Sequence, residues 1–185
     1  MYRRERSSGF TLVELMMTLV VLAIVLAFGV PSFRNLVVSN TLSSQVNGLS
    51  GDIAAARSAA TLSPDAVVTV CASANGTSCR DSQAWEGGWI SFRDENGDGA
   101  VDAGDEILRV SEALNGGNTL RVKGFSGGGK LFQFDGKGMP ANPGTLIVCD
   151  DRGASEAAAI SVSGAGQVRL VRDGKDHTGT ALSCP

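Results

Sequence analysis

The chain has few of the residues from which most catalytic sites are built. It holds one histidine and one tyrosine among 185 residues, and aromatic residues make up only 5% of it. The histidine, His177, lies in the polar stretch DGKDHTGT, where no serine or cysteine is arranged as a nucleophile, so we expect an exposed tail residue. We therefore expect a protein that is not an enzyme, and its length allows one globular domain plus one appended element.

Charge is also scarce, and a phosphate-binding loop is lacking. Charged residues reach 19% and the formal net charge is -3, which gives no overall attraction to nucleic acid or anionic lipid but leaves room for a local basic patch. Gly124 to Lys130 reads GFSGGGK, yet Leu131 stands where a phosphate loop needs serine or threonine, and strand-like residues follow. The sequence therefore predicts no cofactor, apart from the calcium ion considered below.

The four cysteines all lie outside the apolar N-terminal part of the chain. Their spacing does not resemble paired zinc-binding motifs, which favours disulfides formed in an oxidising compartment over a metal site or four buried free thiols. Four cysteines allow more than one connectivity. We favour Cys71–Cys79, which would close a polar loop, and Cys149–Cys184, which would tie the C-terminal end to a strand.

The one long apolar run extends from Phe10 to Val30 and contains a single charge, Glu14. As a helix rising about 1.5 Å per residue it would span roughly 31 Å, the thickness of the hydrocarbon core of a bilayer. The basic flank MYRRERSSG predicts a cytoplasmic N-terminus, a single pass and an exported remainder. No small-residue cleavage site follows the run, so we do not expect cleavage by the ordinary signal peptidase.

The boundary Gly9-Phe10-Thr11-Leu12-Val13-Glu14 resembles the signal of type IV pilins and of type II secretion pseudopilins. The resemblance implies that a prepilin peptidase cuts between Gly9 and Phe10 and that the new N-terminal Phe10 is N-methylated. It also implies that Glu14 pairs with the α-amine of a neighbouring subunit and sets the axial register of a filament. The alternative is that Glu14 reaches the lipid headgroups. Pro31 matches the helix-kinking proline of this family.

The helix is expected to continue beyond the membrane. Apolar residues from Val38 to Ala60 recur every three or four positions, which predicts one buried helical face, and Ser63-Pro64 ends it. We divide the chain into a cleaved leader (1–9), a membrane or filament-core half of the helix (10–30), an amphipathic half (31–62) and a periplasmic β-rich domain (63–185).

The last two thirds of the chain alternate between short β-like runs and turns rich in glycine and asparagine. Eight runs are predicted as strands: 66–72, 88–94, 106–112, 119–124, 130–134, 145–150, 157–163 and 167–173. No second helical period is evident, which favours an antiparallel arrangement. The predicted fold is α+β, a long N-terminal helix packed on an antiparallel β-sheet domain, as in type IV pilins.

A second region, from Trp85 to Gly99 and on to Arg109, resembles the signature of the GspH/FimT group of minor pilins and pseudopilins. This resemblance implies a minor pilin in the bacterial inner membrane that contributes to the initiation or the tip of a type IV pilus. The alternative is a minor pseudopilin of type II secretion. The implied partners are other major and minor pilins or pseudopilins, the prepilin peptidase and the inner membrane.

An acidic loop in this region fits the spacing of a calcium-binding loop. Oxygen ligands at alternate positions could wrap one Ca²⁺ ion. The flanking segments resemble strands rather than the two helices of such a site, and Asn-Gly-Asp-Gly also suits a tight hairpin. We favour the hairpin and keep calcium as the alternative. The candidate ligands are Asp94, Asn96, Asp98, Asp102 and Asp105.

The stretch from Gly166 to Lys175 resembles a basic C-terminal segment with which some FimT-type pilins bind DNA. Gln167 replaces the first arginine of that pattern, and nearby aspartates dilute the charge. Phosphate contacts of this kind would be salt-dependent and independent of base sequence. The alternative is a solvated strand face. The candidate DNA-binding residues are Arg152, Arg169, Arg172 and Lys175.

Overall fold

The computed structural model describes residues 9–171 and 174–185, without the side chains of residues 126 and 127. The described residues form one α-helix, eight strands and a short 3-10 helix at Ser126–Gly129. They divide into two compact units, one ending at Ser39 and the other running from Asn40 to Pro185. The element bounds are α1 Leu12–Leu62, β1 Val67–Ala72, β2 Trp89–Asp94, β3 Glu106–Ser111, β4 Thr119–Gly124, β5 Leu131–Phe134, β6 Gly144–Cys149, β7 Ala158–Val162 and β8 Val168–Val171.

The first unit consists of the N-terminal part of α1. Thr11 caps the helix, since its Oγ1 accepts the backbone N–H of Glu14 at 3.2 Å. All large apolar side chains between Leu12 and Val37 are exposed. By length and composition, α1 is the one helix among the described residues that could cross a membrane. Pro31 lies inside the helix, which continues through it; a kink at this position remains a prediction.

The second unit contains two four-stranded antiparallel sheets. Sheet one has the order β3-β2-β1-β5 and sheet two the order β4-β6-β7-β8. The chain completes three strands of sheet one, places β4 in sheet two, returns for β5 beside β1, and then adds β6 to β8 to sheet two. All eight predicted strands are present, and their division between two sheets was not foreseen.

One core joins both sheets to the helix. The predicted helical face is buried, and strands β1, β4, β5, β6 and β7 each contribute alternate residues, as a pleated strand with one face inward requires. The aromatic centre is formed by Phe132, which stacks on Phe125 with ring centroids 4.4 Å apart and meets Phe134 edge-on at 5.6 Å. The helical residues of this core are Leu42, Val46, Leu49, Ile53, Ala56 and Ala60.

The outer face of each sheet carries a smaller apolar cluster that contains a disulfide. On sheet one, Cys71 packs with Ile90 and Phe92 and bonds to Cys79, with the two Cα atoms 5.6 Å apart. On sheet two, Cys149 bonds to Cys184, with the Cα atoms 5.9 Å apart. These are the two pairs favoured from the sequence. Each disulfide therefore fixes a loop or tail over the side of a sheet that faces away from the helix.

Arg57 binds the helix to two loops on the side of sheet two. Its Nε donates to the carbonyl of Gly138 at 2.9 Å, and its Nη2 donates to the carbonyl of Ala165 at 3.1 Å. Gly166 lies against the same carbonyl of Gly138, and a Cβ at Gly166 would approach that oxygen to 1.9 Å. The β5–β6 and β7–β8 connections are thus held close to the helix by one guanidinium group.

Candidate functional site

Glu14 lies in the first turn of α1, on the C-terminal side of the predicted cleavage point between Gly9 and Phe10. Phe10 is exposed. The carboxylate of Glu14 stands at one end of an otherwise mostly apolar helical face. A carboxylate in such surroundings favours a cationic partner, which an N-terminal amine could supply. The other residues of this face are Met17, Thr18, Val21, Leu22 and Val25.

The acidic segment after β2 forms the connection of a β2–β3 hairpin, as favoured from the sequence. The connection is a long loop rather than a tight turn. Asp94 is fully buried at its start. Its carboxylate accepts the Thr69 hydroxyl at 2.7 Å and the backbone N–H groups of Gly97 and Gly99 at 2.6 and 2.9 Å. Gln133 adds a fourth donor at 3.2 Å. Asp94 therefore organises the loop by hydrogen bonding.

The remaining acidic residues of the loop also accept hydrogen bonds within it. The Asn96 amide donates to Asp98 at 3.2 Å and to Asp102 at 3.1 Å. Asp105 accepts the backbone N–H of Glu95 at 3.1 Å and that of Asp102 at 3.0 Å. Over the described parts of the chain, no group of three or more histidine, cysteine, aspartate or glutamate side chains is placed to hold a metal ion. That the protein has no cofactor, with calcium as the alternative, remains a prediction.

The candidate DNA-binding residues are not all in one place. Arg152 forms an ion pair with the buried carboxylate of Asp150 at 2.6 Å and lies 3.6 Å from Glu156. The hydrogen bond from Arg152 lowers the pKa of Asp150, and the same bond raises the pKa of the guanidinium. Arg152 thus supports the turn after β6. Arg172 lies outside the described residues.

Arg169 and Lys175 line one groove of about 540 Å³ on the outer face of sheet two. Arg169 stands on β8 directly opposite Ser161 of β7. Lys175 comes from the C-terminal tail, which carries Asp176 and His177 into the same groove. The groove, which we call the tail groove, therefore combines cationic and hydroxyl groups from two separate segments.

The tail forms a small hairpin rather than a loose end. Lys175 and Ala181 form an isolated antiparallel bridge, and the N–H of Leu182 donates to the carbonyl of Gly174 at 2.8 Å. Asp176 closes the tip, where the hydroxyl of Thr178 donates to its carboxylate at 2.6 Å and lowers the pKa of that carboxyl. We call residues 174–182 the tail hairpin.

The expectation that His177 is an exposed tail residue was wrong. His177 is half-buried; its backbone N–H donates to Oγ1 of the buried Thr145 at 2.8 Å, and its ring Nδ1 lies 3.0 Å from the same hydroxyl. A Cβ at Gly124 would lie 2.7 Å from the ring, so the absence of a side chain there makes room for it. Thr145 and Gly124 belong to β6 and β4, and only the pairing of these strands could have revealed the contact.

Comparison with known proteins identifies the family. The family model described as "Type II transport protein GspH" matches residues 45–166, more than half of the chain. The chain belongs to the GspH/FimT family of pilin-like proteins. The family prediction is thereby confirmed. A second model, the prokaryotic N-terminal methylation motif, matches residues 4–30 of this GspH-family protein, which include Gly9, Phe10 and Glu14. No curated protein gives a significant match.

Two solved structures share the fold of this GspH-family chain. Both are crystal forms of the type IV minor pilin FimU of Pseudomonas aeruginosa. The form in space group P21 is 21% identical, with a TM-score of 0.56, and the match covers 76% of this chain and 95% of FimU. The form in space group P65 is 19% identical, with a TM-score of 0.55, and covers 75% and 98%. The predicted α+β pilin-like fold is confirmed.

The family and the fold define the general character of the protein. It is a membrane-anchored pilin-like subunit of a family whose members are structural proteins that assemble with other pilins in filaments. The apolar part of α1 is long and apolar enough to serve as such an anchor.

Proposed function

We propose that this protein is a minor pilin of a type IV pilus that contributes to the initiation or the tip of the filament. It is held in the inner membrane by α1 as a single pass, with the two-sheet unit in the periplasm. The fold shared with a type IV minor pilin supports this reading. The two disulfides suit an exported domain, because the periplasm is oxidising.

The observation that carries assembly into a filament, in a pilus or in a pseudopilus, is the carboxylate of Glu14 in the first turn of the exposed, apolar N-terminal half of α1. At the centre of a membrane helix a carboxylate costs about 2.5–3.5 kcal/mol, and less near the end. Cleavage after Gly9 by the prepilin peptidase creates an amine at Phe10, which is then N-methylated. The amine of one subunit pairs with Glu14 of the next and fixes their axial offset.

Substitution of Glu14 tests this role. Glu14→Gln keeps the size of the side chain and removes its charge, so we expect the protein to be processed after Gly9 yet not to enter filaments. Processing is measured by mass spectrometry of the protein from its host, and incorporation by immunoblotting of sheared filaments. Met17→Leu, on the same helical face, is the matched control and should enter filaments normally. Normal incorporation of the glutamine variant would reject the pairing.

The alternative function is that of a minor pseudopilin of type II secretion, which the description of the matching family favours. A deletion strain separates the two functions. If the protein is a minor pilin, the deletion strain should lose the surface motility that pili drive and should still secrete folded proteins normally. The opposite result would assign the protein to the secretion system.

A second proposal concerns DNA. The tail groove brings Arg169 and Lys175 together beside one acidic residue, Asp176, on a protein whose net charge is -3, which gives a local excess of positive charge toward phosphodiester groups. Binding of this kind would be weak, salt-dependent and independent of base sequence. Arg169→Ala combined with Arg172→Ala should abolish the gel shift of duplex DNA given by the full chain in non-ionic detergent. Equal shifts for the variant and the wild type would reject DNA binding at this surface.

A further inference from the structure

We propose that the Cys149–Cys184 disulfide assembles the tail groove, so that the oxidised protein binds phosphodiester polymers more tightly than the protein with this disulfide reduced. The inference rests on the DNA binding proposed above and names what controls it. The ligand class is a polymer of phosphodiesters, because the groove is lined by cationic and hydroxyl side chains from two segments of the chain, and phosphate contacts of this kind do not depend on base sequence.

The groove has one fixed side and one side supplied by the tail. Ser161 and Arg169 belong to β7 and β8, which are paired in register within sheet two. Lys175, Asp176 and His177 belong to the tail hairpin, which lies outside the strands of that sheet. Arg169 therefore keeps its place whenever the sheet is folded, whereas Lys175 lies beside it only while the hairpin is docked.

Two residues of the tail hairpin, His177 and Leu182, make described contacts with the sheet. His177 makes its two contacts with the hydroxyl of Thr145. Leu182 packs into the apolar cluster on the outer face of sheet two, which also contains Ile147. Just after the hairpin, Ser183 accepts a hydrogen bond from Lys123 at 3.0 Å. Thr178, Gly179 and Thr180, at the tip, are exposed.

The Cys149–Cys184 disulfide adds a covalent link between the tail and the sheet, beside the main chain that leads from β8 into the hairpin. Cys184 follows Leu182 by two positions, and Cys149 is the last residue of β6, in the same apolar cluster. Closing this loop restricts the unfolded tail and so favours the docked hairpin. The Cys71–Cys79 disulfide lies on the outer face of sheet one and makes no such link to the tail.

Opening the Cys149–Cys184 disulfide is a two-electron reduction. A dithiol reductant supplies two electrons and two protons, the bond between the two Sγ atoms breaks, and each cysteine becomes a thiol. The reductant becomes a disulfide through a mixed-disulfide intermediate. Once the hairpin separates from the sheet, Lys175 is no longer held beside Arg169, and the groove loses a cation that contacts phosphate.

The test measures DNA binding by fluorescence anisotropy, with the full chain in non-ionic detergent and a labelled duplex of random sequence. We compare the oxidised wild type with Cys149→Ser/Cys184→Ser and with the control Cys71→Ser/Cys79→Ser. The variant Cys149→Ser/Cys184→Ser should bind DNA more weakly than the oxidised wild type. The slope of the logarithm of its association constant against the logarithm of the salt concentration should be smaller in magnitude by about 1, the value for one phosphate contact. The control should keep the wild-type slope.

Lys175→Ala distinguishes displacement of the tail hairpin from a general loss of stability in the cysteine variant. It should weaken binding in the oxidised wild type and have no effect in Cys149→Ser/Cys184→Ser, because Lys175 is already displaced there. Equal effects of Lys175→Ala in the two backgrounds would overturn the proposal. If the oxidised wild type binds no DNA at all, the proposed DNA binding fails and this inference fails with it.

A second experiment tests the proposal if the cysteine variant does not fold. If circular dichroism shows that Cys149→Ser/Cys184→Ser is unfolded, the titration is made on the wild type before and after brief treatment with the dithiol. Alkylation and mass spectrometry then identify which disulfide has opened. Loss of affinity in step with the opening of Cys149–Cys184 supports the proposal, and unchanged affinity of folded protein with this disulfide open overturns it.

Discussion

The indole N–H of Trp89 donates to the carboxylate of Asp52 at 3.1 Å, which joins helix α1 to strand β2. The same carboxylate accepts the hydroxyl of Ser111 at 2.5 Å and forms an ion pair with Arg109 at 2.6 Å, both on β3. Its side chain is only 12% exposed. One helical aspartate thus binds two strands of sheet one, as Arg57 binds the loops beside sheet two.

The Asp52 contact should contribute measurably to stability. We expect Asp52→Ala to lower the free energy of unfolding by about 2 kcal/mol, because it leaves the Trp89 donor and the Ser111 hydroxyl without their charged acceptor. The ion pair with the largely exposed Arg109 adds little, since water screens it. Urea unfolding of the full chain measures the difference. Asp65→Ala, at an exposed acid just after the helix, should change stability by less than about 0.5 kcal/mol.

Most of the secondary structure could be predicted from the sequence, because it depends on local patterns. The helical face from Leu42 to Ala60 and the eight strand runs follow from apolar spacing and from turn residues. The division into two sheets could not be predicted. The alternation in β5 is the same whether it pairs with β1 or with β4, and the choice of β1 depends on contacts far along the chain, such as Val68 opposite Phe134.

Some of the candidate sites could be predicted from contiguous sequence, and others depend on the tertiary fold. Glu14 and the boundary Gly9-Phe10 are read directly from contiguous residues. The tail groove is not, because Arg169 and Lys175 meet only after β8 has joined sheet two and the tail has folded back over it. Arg152 looked equivalent to them as a basic residue, but Asp150, two positions earlier, holds it in an ion pair at 2.6 Å.

Two glycines should respond oppositely to the same substitution. Gly51 lies within α1, and a Cβ there would have no heavy atom within 4 Å, so Gly51→Ala should stabilise the protein by about 1 kcal/mol through helix propensity. Gly166 has a φ of +72°, and a Cβ there would meet the carbonyl of Gly138 at 1.9 Å. Gly166→Ala should therefore destabilise by about 2 kcal/mol or more.

Thermal unfolding of the two variants beside the wild type gives the comparison. The melting temperature should rise for Gly51→Ala and fall for Gly166→Ala. A fall for both would show that the exposed face of α1 near Gly51 is packed in the protein as purified.

Calcium should not bind to the loop after β2. Asp94 already accepts four hydrogen bonds, and its burial leaves no open position for a metal ion. Isothermal titration of the full chain with millimolar Ca²⁺ should therefore give no binding heat. Heat that disappears in Asp98→Asn/Asp102→Asn, and persists in the control Asp65→Asn, would instead establish a calcium site in this loop.

The Asp150–Arg152 pair should make the stability of the protein depend on pH in the acidic range. Hydrogen bonding to Arg152 lowers the pKa of Asp150 below its ordinary value of 3.8. Since the folded pKa is below the unfolded one, the pair stabilises the fold above about pH 3.8, and this contribution is lost as the pH falls through the folded pKa. Arg152→Gln should lower the free energy of unfolding by about 1.5 kcal/mol at neutral pH.

The pH profile of that difference separates the ion pair from simple packing. The gap between the wild type and Arg152→Gln should be constant from neutral pH down to about pH 4 and should shrink in stronger acid, because a protonated Asp150 no longer attracts the guanidinium. Urea unfolding at a series of pH values measures it, with the exposed Arg80→Gln as control. A gap that stays unchanged down to the most acidic pH at which the protein is folded would mean that Arg152 acts through the packing of its side chain rather than through the charge of Asp150.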